Sequence, residues 1–301
     1  MDFIQTLLLL IAVTALGMFS RHKQLFSSKD KLVLNGFVYR FALPALFIDT
    51  ISSIQFNQIE MDIIIGSIVP ILLSIVVIVL IYLVRLINKE QMIIASLTMA
   101  FGSNAFFGIA YFDSLYSGEI VQYAVFTASV LGMLGVILSV AFLEYAKNGE
   151  IKVGILLSVL KSPPVFAIFI GIALALFGIQ IAFFDKASAL LGKTAGGLAI
   201  FVLGMFIYDT FSLKLLKAAL PYVVLRAVLL PVTTFAVLLS LPTVSDTTYT
   251  FLLQQSGIPA AIALAIVAQR YEYNEKKIAA IVMLSSLFSF FLLGVLYILS
   301  T

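Results

Sequence analysis

The chain has 301 residues, of which 62% are hydrophobic and 11% are charged, and its formal net charge is +3. A soluble domain is only about half apolar and about a quarter charged, so this composition excludes a soluble domain and predicts an all-α membrane protein with several spans. There is no cysteine, and the one histidine, His22, lies in a basic loop, which excludes disulfides, thiolate chemistry and a histidine-based metal site.

Ten apolar segments follow one another, and we number them 1 to 10 in chain order. They lie at about 2–20, 32–54, 62–84, 92–112, 120–142, 163–180, 187–208, 217–240, 248–269 and 278–299. Segment 1 opens with Met1-Asp2 and is followed, not preceded, by basic residues. This order argues against a cleaved signal peptide.

The basic residues predict the topology, because 14 of the 18 lie in the loops after segments 1, 3, 5, 7 and 9. They are Arg21, Lys23, Lys29, Lys31, Arg85, Lys89, Lys147, Lys152, Lys161, Lys214, Lys217, Arg270, Lys276 and Lys277. The opposite loops hold only Lys186. Cytoplasmic loops carry the excess of Lys and Arg, so we expect a multi-pass protein of the plasma or inner membrane with both termini outside.

The two halves of the chain repeat each other. Phe47-Ile48-Asp49-Thr50-Ile51-Ser52 ends segment 2, and Phe206-Ile207-Tyr208-Asp209-Thr210-Phe211-Ser212 ends segment 7. Each half, 1–145 and 150–301, contains five segments, an odd number, so the second half enters the membrane in the opposite sense. Such inverted five-helix repeats are typical of secondary transporters.

Segment 9 is interrupted near its middle by Gln255, Ser256, Gly257 and Pro259. Pro259 has no N–H, and Gly257 lowers the cost of bending, so this pattern predicts a broken helix at mid-membrane. Backbone groups freed there must be satisfied by protein or must line a cavity. The alternative is a kinked packing helix. On the sequence alone, replacing Pro259 by Ala would let the helix close over the gap.

Segment 4 carries the corresponding interruption, in which Gly102 and Gly108 flank Ser103 and Asn104. Small residues can also simply allow close helix packing, which is the alternative interpretation. If broken segments 4 and 9 cross, two half-helix N-termini meet at mid-membrane and favour an anionic group. The candidate binding residues are Ser103, Asn104, Gln255, Ser256, Gly257 and Pro259.

Arg226 lies near the middle of segment 8, which has no acidic residue. A charge at that depth is a candidate functional group. It can serve as the counter-charge of an anionic substrate, or it can bond the carbonyls of a broken helix.

Four further charges lie on segments 2 and 7 and are predicted to be structural. The topology puts Arg40 and Asp209 toward the cytoplasm, and Asp49 and Lys193 toward the outside. If the segments are neighbours, Arg40 can pair with Asp209 and Lys193 with Asp49. Lys193 can equally extend its charge to the membrane surface.

Several motifs resemble the auxin efflux carrier family, which includes bacterial malate-permease-like proteins and plant PIN carriers. They are Tyr39-Arg40-Phe41-Ala42-Leu43-Pro44-Ala45-Leu46, Leu160-Lys161-Ser162-Pro163, Leu198-Ala199-Ile200-Phe201-Val202-Leu203-Gly204 and Ser256-Gly257-Ile258-Pro259-Ala260-Ala261 continuing to Arg270-Tyr271. The resemblance implies ten helices with crossed helices 4 and 9, an elevator motion and a homodimer through the scaffold. It implies a scaffold of 1–60 and 160–212 and a transport domain of 61–145 and 213–301.

Segment 4 departs from the family pattern Gly-Asn-Thr-Gly-Phe-x-Gly-x-Pro. A gapless match puts Ser103 at the Asn, Asn104 at the Thr, Ala105 at a Gly and Ala110 at the Pro. The amide is thereby moved by one position, which turns it by about 100° around a regular helix.

Three functions compete. The first is a carrier of small organic anions such as malate-like or auxin-like carboxylates, which needs no cofactor. The second is a sodium- or proton-coupled carrier of the same fold, although no acidic residue lies at mid-membrane. The third is an intramembrane enzyme, which we exclude because the chain has neither paired aspartates nor another catalytic motif.

Overall fold

The computed structural model describes residues 3–52, 61–149, 163–179, 182–210, 212–241 and 244–300. Its elements are all helical and are numbered here in chain order. They are α1 Phe3–His22, α2 Ser28–Phe37, α3 Leu43–Ser52, α4 Met61–Leu83, α5 Lys89–Ala100, α6 Ile109–Leu115, α7 Glu119–Asn148, α8 Pro163–Phe177, α9 Ala182–Gly192, α10 Thr194–Thr210, α11 Leu213–Ser240, α12 Asp246–Gln255, α13 Ile262–Arg270 and α14 Glu275–Ser300. Two π-helical turns, Val38–Ala42 and Asn104–Gly108, precede α3 and α6. Lys152, Lys161 and Phe211 lie outside the described residues.

Helix starts on the basic side follow local capping chemistry. Ser27 and Asp30 form a reciprocal capping box at α2, and Asn88 and Gln91 form one at α5. In each pair, both side chains accept bonds from backbone N–H groups that a helix start leaves free. Short polar loops in the sequence therefore become sharp boundaries between apolar helices.

Among the described residues, six helical stretches are long and apolar enough to cross a membrane, which confirms the prediction of a multi-pass membrane protein. They are Ser28–Asp49, Met61–Leu83, Glu119–Lys147, Phe183–Asp209, Leu213–Ser240 and Glu275–Ser300. Large apolar side chains such as Phe183, Leu190 and Phe291 are exposed. A lipid environment would cover such surfaces.

The π-helical turn in segment 2 follows from a proline. Pro44 has no N–H to give to the carbonyl one turn earlier. Within this turn, the N–H of Leu43 reaches back five residues to the carbonyl of Val38. The helix therefore continues through the proline with a local widening, as π-bulges allow.

The chain forms two compact units. The first comprises Met1–Ile59, Ala105–Val130 and Leu157–Asp209. Within it, α3 packs against α8, and Gly171 lies against Ile51. Helices α1 and α10 approach even more closely, because a Cβ atom added at Gly17 would collide with the Phe201 carbonyl and one at Gly204 with the Thr14 carbonyl. Glycine is required wherever two backbones come this close.

The second unit comprises Glu60–Asn104, Leu131–Leu156 and Thr210–Thr301. Here α11 packs against α4, α5 and α14. Its apolar core includes Ile78, Ile94, Leu97 and Ile281, each at most 1% exposed. The two interrupted segments meet inside this unit.

Candidate functional site

Segments 4 and 9 pair with each other at their interruptions. Helix α5 ends at Ala100 and α12 ends at Gln255. Beyond them an antiparallel bridge joins Gly102 to Ala260, with Ser103 N–H donating to the Pro259 carbonyl at 2.8 Å and Ala261 N–H donating to the Phe101 carbonyl at 2.9 Å. We call residues 101–104 and 257–261 the junction. Each interrupted backbone supplies partners that the other needs inside an apolar surrounding.

Both glycines of the junction, Gly102 and Gly257, are needed for space. A Cβ atom at Gly102 would lie 2.9 Å from Nη2 of Arg226 and 2.8 Å from Nδ2 of Asn104. A Cβ atom at Gly257 would lie 2.7 Å from a methyl group of Leu296. Neither position tolerates a larger side chain without displacement of a neighbour.

Gly108 was predicted to break segment 4, and the structure corrects this. Its backbone angles are φ −63° and ψ −52°, which are helical, and it joins the π-helical turn Asn104–Gly108 to α6. The interruption lies instead at residues 101–103, where Phe101 is extended. Pro259 also leaves less unsatisfied backbone than the sequence suggests, because the Gln255 carbonyl accepts the N–H of Ile258 at 3.1 Å.

Arg226 projects from α11 into the junction and is 6% exposed. Its Nη1 donates to the carbonyls of Thr98 and Met99. Its Nε and Nη2 donate to the Ile258 carbonyl at 3.2 and 2.9 Å, and Nη2 also reaches the Pro259 carbonyl at 3.5 Å. These five contacts equal the five N–H donors of a guanidinium. These bonds hold the carbonyls of the interrupted helices, which is one of the two roles predicted for Arg226.

No carboxylate among the described residues forms an ion pair with Arg226. The ion pairs found among the described residues are Arg21–Asp209, Lys31–Asp209 and Lys277–Glu90. Backbone carbonyls satisfy the donors of a buried guanidinium, but they do not cancel its charge. The formal positive charge of the guanidinium therefore has no carboxylate partner in the part of the chain that the structure describes.

Two small cavities lie beside Arg226 in the second unit. The larger, of about 30 Å³, is lined by Ser67, Asn104, Gln255 and Ser256 together with apolar residues of α4 and α11. The smaller, of about 10 Å³, touches Ser256 and Ser285. A water molecule needs about 10–15 Å³ by this measure. The larger cavity therefore has room for about two waters, or for one small polar group of a solute.

The predicted polar residues differ in whether their side chains already form hydrogen bonds within the protein. Asn104 is 7% exposed, lines the larger cavity, and has no side-chain hydrogen bond in the part of the chain described. Gln255 Oε1 accepts a bond from Ser67 Oγ at 2.8 Å. Ser256 Oγ donates to the Leu253 carbonyl at 2.6 Å. Ser103 is 4% exposed and contributes its backbone N–H to the bridge.

The four predicted structural charges are arranged differently from the pairing expected for them. Asp209 pairs with Arg21 and Lys31, each at 2.6 Å, and not with Arg40, which is exposed. The N-terminal helix supplies Arg21, so a helix outside segments 2 and 7 takes the position that Arg40 was expected to hold.

At the other end, Asp49 is within electrostatic reach of Lys193 and Asp185. Lys193 and Asp49, both described, are not joined by an ion pair within 4.0 Å. Lys193 is exposed and lines a cavity of about 430 Å³ in the first unit, whose wall is mainly apolar and also includes Asp113.

The sequence did not indicate Ser67 or Ser285. Ser67 donates to Gln255, and Ser285 Oγ accepts the N–H of Ala260 at 3.2 Å. Both could have been suspected from the sequence, because they are serines inside apolar segments 3 and 10, and Ser67 also lies near Pro70. The described residues contain no cluster of acidic residues and histidines that could hold a metal ion.

Two comparisons with known proteins bear on this site. A family model described as "Membrane transport protein" matches the chain twice, over residues 2–154 and 150–297. Two matches to one model agree with the internal repeat of the sequence. No curated protein matches the chain.

Proposed function

Because the chain belongs to the membrane transport protein family, we propose that it is a secondary active transporter of small organic anions. The family match covers nearly the whole chain and confirms the resemblance to auxin efflux carriers. Members of this family transport solutes and are not enzymes. The solute class, the mechanism and the assembly that follow are proposals.

The observation that carries the proposal is the uncompensated charge of Arg226 beside a cavity lined by Asn104 and Ser256. An anion is attracted by a positive potential, and the attraction is stronger where water is scarce. The carboxamide of Asn104 has two N–H donors that no described residue accepts, and a carboxylate oxygen would accept them. The cavity volume suits one carboxylate group, with the remainder of a malate-like or auxin-like molecule outside it.

The proposed architecture has ten spans, with segments 4 and 9 as helices that cross at the junction. The six apolar helical stretches found in the described part of the chain and the bridge between Gly102 and Ala260 support it. We further propose an elevator motion of a transport domain, residues 61–145 and 213–301, against a scaffold, residues 1–60 and 160–212. A homodimer through the scaffold, residence in the plasma or inner membrane and both termini outside complete the proposal.

Uptake into proteoliposomes tests the function. Wild-type protein is presented with a panel of radiolabelled mono- and dicarboxylates, beside Asn104→Ala and Ser286→Ala as matched control. Ser286 is also buried, but its hydroxyl donates to the Val282 carbonyl of its own helix and to no other described residue. Hydrogen bonds to charged groups contribute about 1.5–3 kcal/mol, so we expect Asn104→Ala to lower uptake of the preferred anion by about 10-fold or more.

The Ser286→Ala control should transport at the wild-type rate, and both variants should keep the wild-type melting temperature. If wild-type protein carries none of the carboxylates, the proposed solute class is wrong. If Asn104→Ala carries the preferred anion as fast as wild type, the candidate binding site is wrong.

A further inference from the structure

We propose that Arg226 is a tethered cation: its guanidinium occupies a carbonyl-lined cation site at the junction and makes transport independent of sodium. Because it concerns which ion, if any, is coupled to transport, the inference rests on the proposed function. It argues against the sodium-coupled carrier that the sequence left as an alternative.

The four carbonyls around Arg226 form the kind of site that binds a hard cation. Thr98 and Met99 lie in the last turn of α5, and Ile258 and Pro259 lie just beyond the end of α12. The C-terminal ends of helices carry partial negative charge. Unwound carbonyls and half-helix ends of this kind coordinate the coupling cation in many secondary transporters.

The guanidinium engages all of these oxygens at once. Nη1 bonds the α5 carbonyls, while Nε and Nη2 bond those that follow α12. Arg226 thus joins the two interrupted segments as a bound metal ion would. Because it is part of α11, this cation cannot dissociate during a transport cycle.

A second cation is excluded from the same place by electrostatics. Arginine does not lose its proton in proteins, so the positive charge is permanent. At a separation of about 4 Å and an effective dielectric constant of about 20, repulsion weakens the binding of a sodium ion by about a thousand-fold. The room beside Arg226 is therefore left for an anion, such as the solute carboxylate.

Gly102 supports this assignment. A Cβ atom there would lie 2.9 Å from Nη2 of Arg226, so the glycine keeps the space that the guanidinium occupies. Removal of the arginine side chain by Arg226→Ala would leave an opening lined by carbonyls. A free cation of the right shape could enter that opening.

Chemical rescue tests the inference. Arg226→Ala is purified in detergent in a sodium-free buffer, and its melting temperature is measured against millimolar methylguanidinium and, separately, against sodium chloride. We expect Arg226→Ala to melt several degrees below wild type and to recover at least half of that loss in a saturable manner with methylguanidinium. Wild type and the control Arg40→Ala, which alters an exposed arginine, should show no saturable rise. A folded Arg226→Ala that gains nothing from either cation overturns the inference.

Transport supplies the second measurement. Wild-type uptake of the preferred anion should be equal within two-fold in sodium and in N-methylglucamine buffers, and uptake by Arg226→Ala should rise with methylguanidinium. A wild-type requirement for sodium overturns the inference. The melting experiment uses no solute, so rescue there combined with no uptake of any carboxylate contradicts the proposed function and leaves the cation assignment standing.

If Arg226→Ala cannot be recovered folded, the yields of folded Arg226→Lys and Arg226→Met test the inference instead. Lysine keeps a positive charge with three N–H donors, while methionine is similar in length and uncharged. We expect folded Arg226→Lys at no less than half the wild-type yield and a loss of at least five-fold for Arg226→Met. Equal recovery of the two variants overturns the inference.

Discussion

At the residue scale, the junction depends on the absence of a Cβ atom at Gly102. The absence of a side chain admits both the guanidinium of Arg226 and the carboxamide of Asn104 to the same small space. The two polar groups are thereby held beside the larger cavity. The glycine acts through its neighbours, because its own backbone only completes the bridge to Ala260.

We predict that Gly102→Ala lowers stability and anion binding together. The added methyl group must displace Arg226 or Asn104, and overpacking of this kind costs about 1–3 kcal/mol. The control is Gly132→Ala on α7, where a Cβ atom would meet nothing within 4 Å and where alanine is the better helix former. Thermal melting in detergent and uptake in proteoliposomes measure both effects. Wild-type behaviour of Gly102→Ala would show that the space around Arg226 is not as tight as described.

At the element scale, the ends of α5 and α12 are held by each other. Two backbone hydrogen bonds of the bridge and the contacts of Arg226 lie where each helix stops. A helix end in an apolar surrounding needs such partners. Pro259 is one cause of the interruption, and the paired segment is the other.

We predict that Pro259→Ala leaves the junction intact. Alanine favours helix continuation by about 3 kcal/mol relative to proline. Continuation would sacrifice the two bridge bonds, at about 0.5–1.5 kcal/mol each, and the bonds from Arg226 to Ile258 and Pro259, at about 1.5–3 kcal/mol each. The losses exceed the gain, so uptake should stay within about three-fold of wild type.

Pro231→Ala is the matched control for this variant, since Pro231 lies inside the continuous helix α11. There the restored N–H adds to an existing helix, and we expect a higher melting temperature. Higher stability of Pro259→Ala with loss of anion binding would instead show that α12 extends and that the proline alone maintains the interruption.

The positions of the interruptions could be predicted from the sequence, but their partners could not. The interruptions could be located from Gly102, Gly257 and Pro259, because glycine and proline act on the local backbone. The bridge between Gly102 and Ala260 could not, since it joins segments more than 150 residues apart in the chain. Likewise, hydropathy places Asp209 at a membrane end, but it does not tell which neighbouring helix supplies its cations, and these proved to be Arg21 and Lys31.

At the scale of the whole molecule, the loop charges and the double family match describe one arrangement. The family model matches residues 2–154 and again 150–297, and the proposed five spans in each half would invert the second half relative to the first. The excess of lysine and arginine in alternate loops predicts which side of the membrane each loop faces.

We predict that both termini lie outside. A C-terminal reporter that is active only in the cytoplasm should give no signal, while the same reporter fused after Lys147 in the predicted cytoplasmic loop should be active. A terminal fusion to a reporter that works only outside the cytoplasm should show the reverse pattern. Cytoplasmic activity of the C-terminal fusion would refute the ten-span topology.

The contact between Gly17 and Gly204 joins two helices that the ribosome makes far apart in time. No side chain separates α1 from α10 there, and Arg21 of α1 likewise pairs with Asp209, 188 residues later in the chain. Ribosomes add about 5–20 residues per second, so the first helix enters the membrane about 10–40 seconds before its partner has been made. Throughout that interval the surface of α1 at Gly17 has no partner helix, and Arg21 lacks the carboxylate of Asp209. We therefore expect the nascent chain to be most prone to misassembly before its seventh segment has been synthesised.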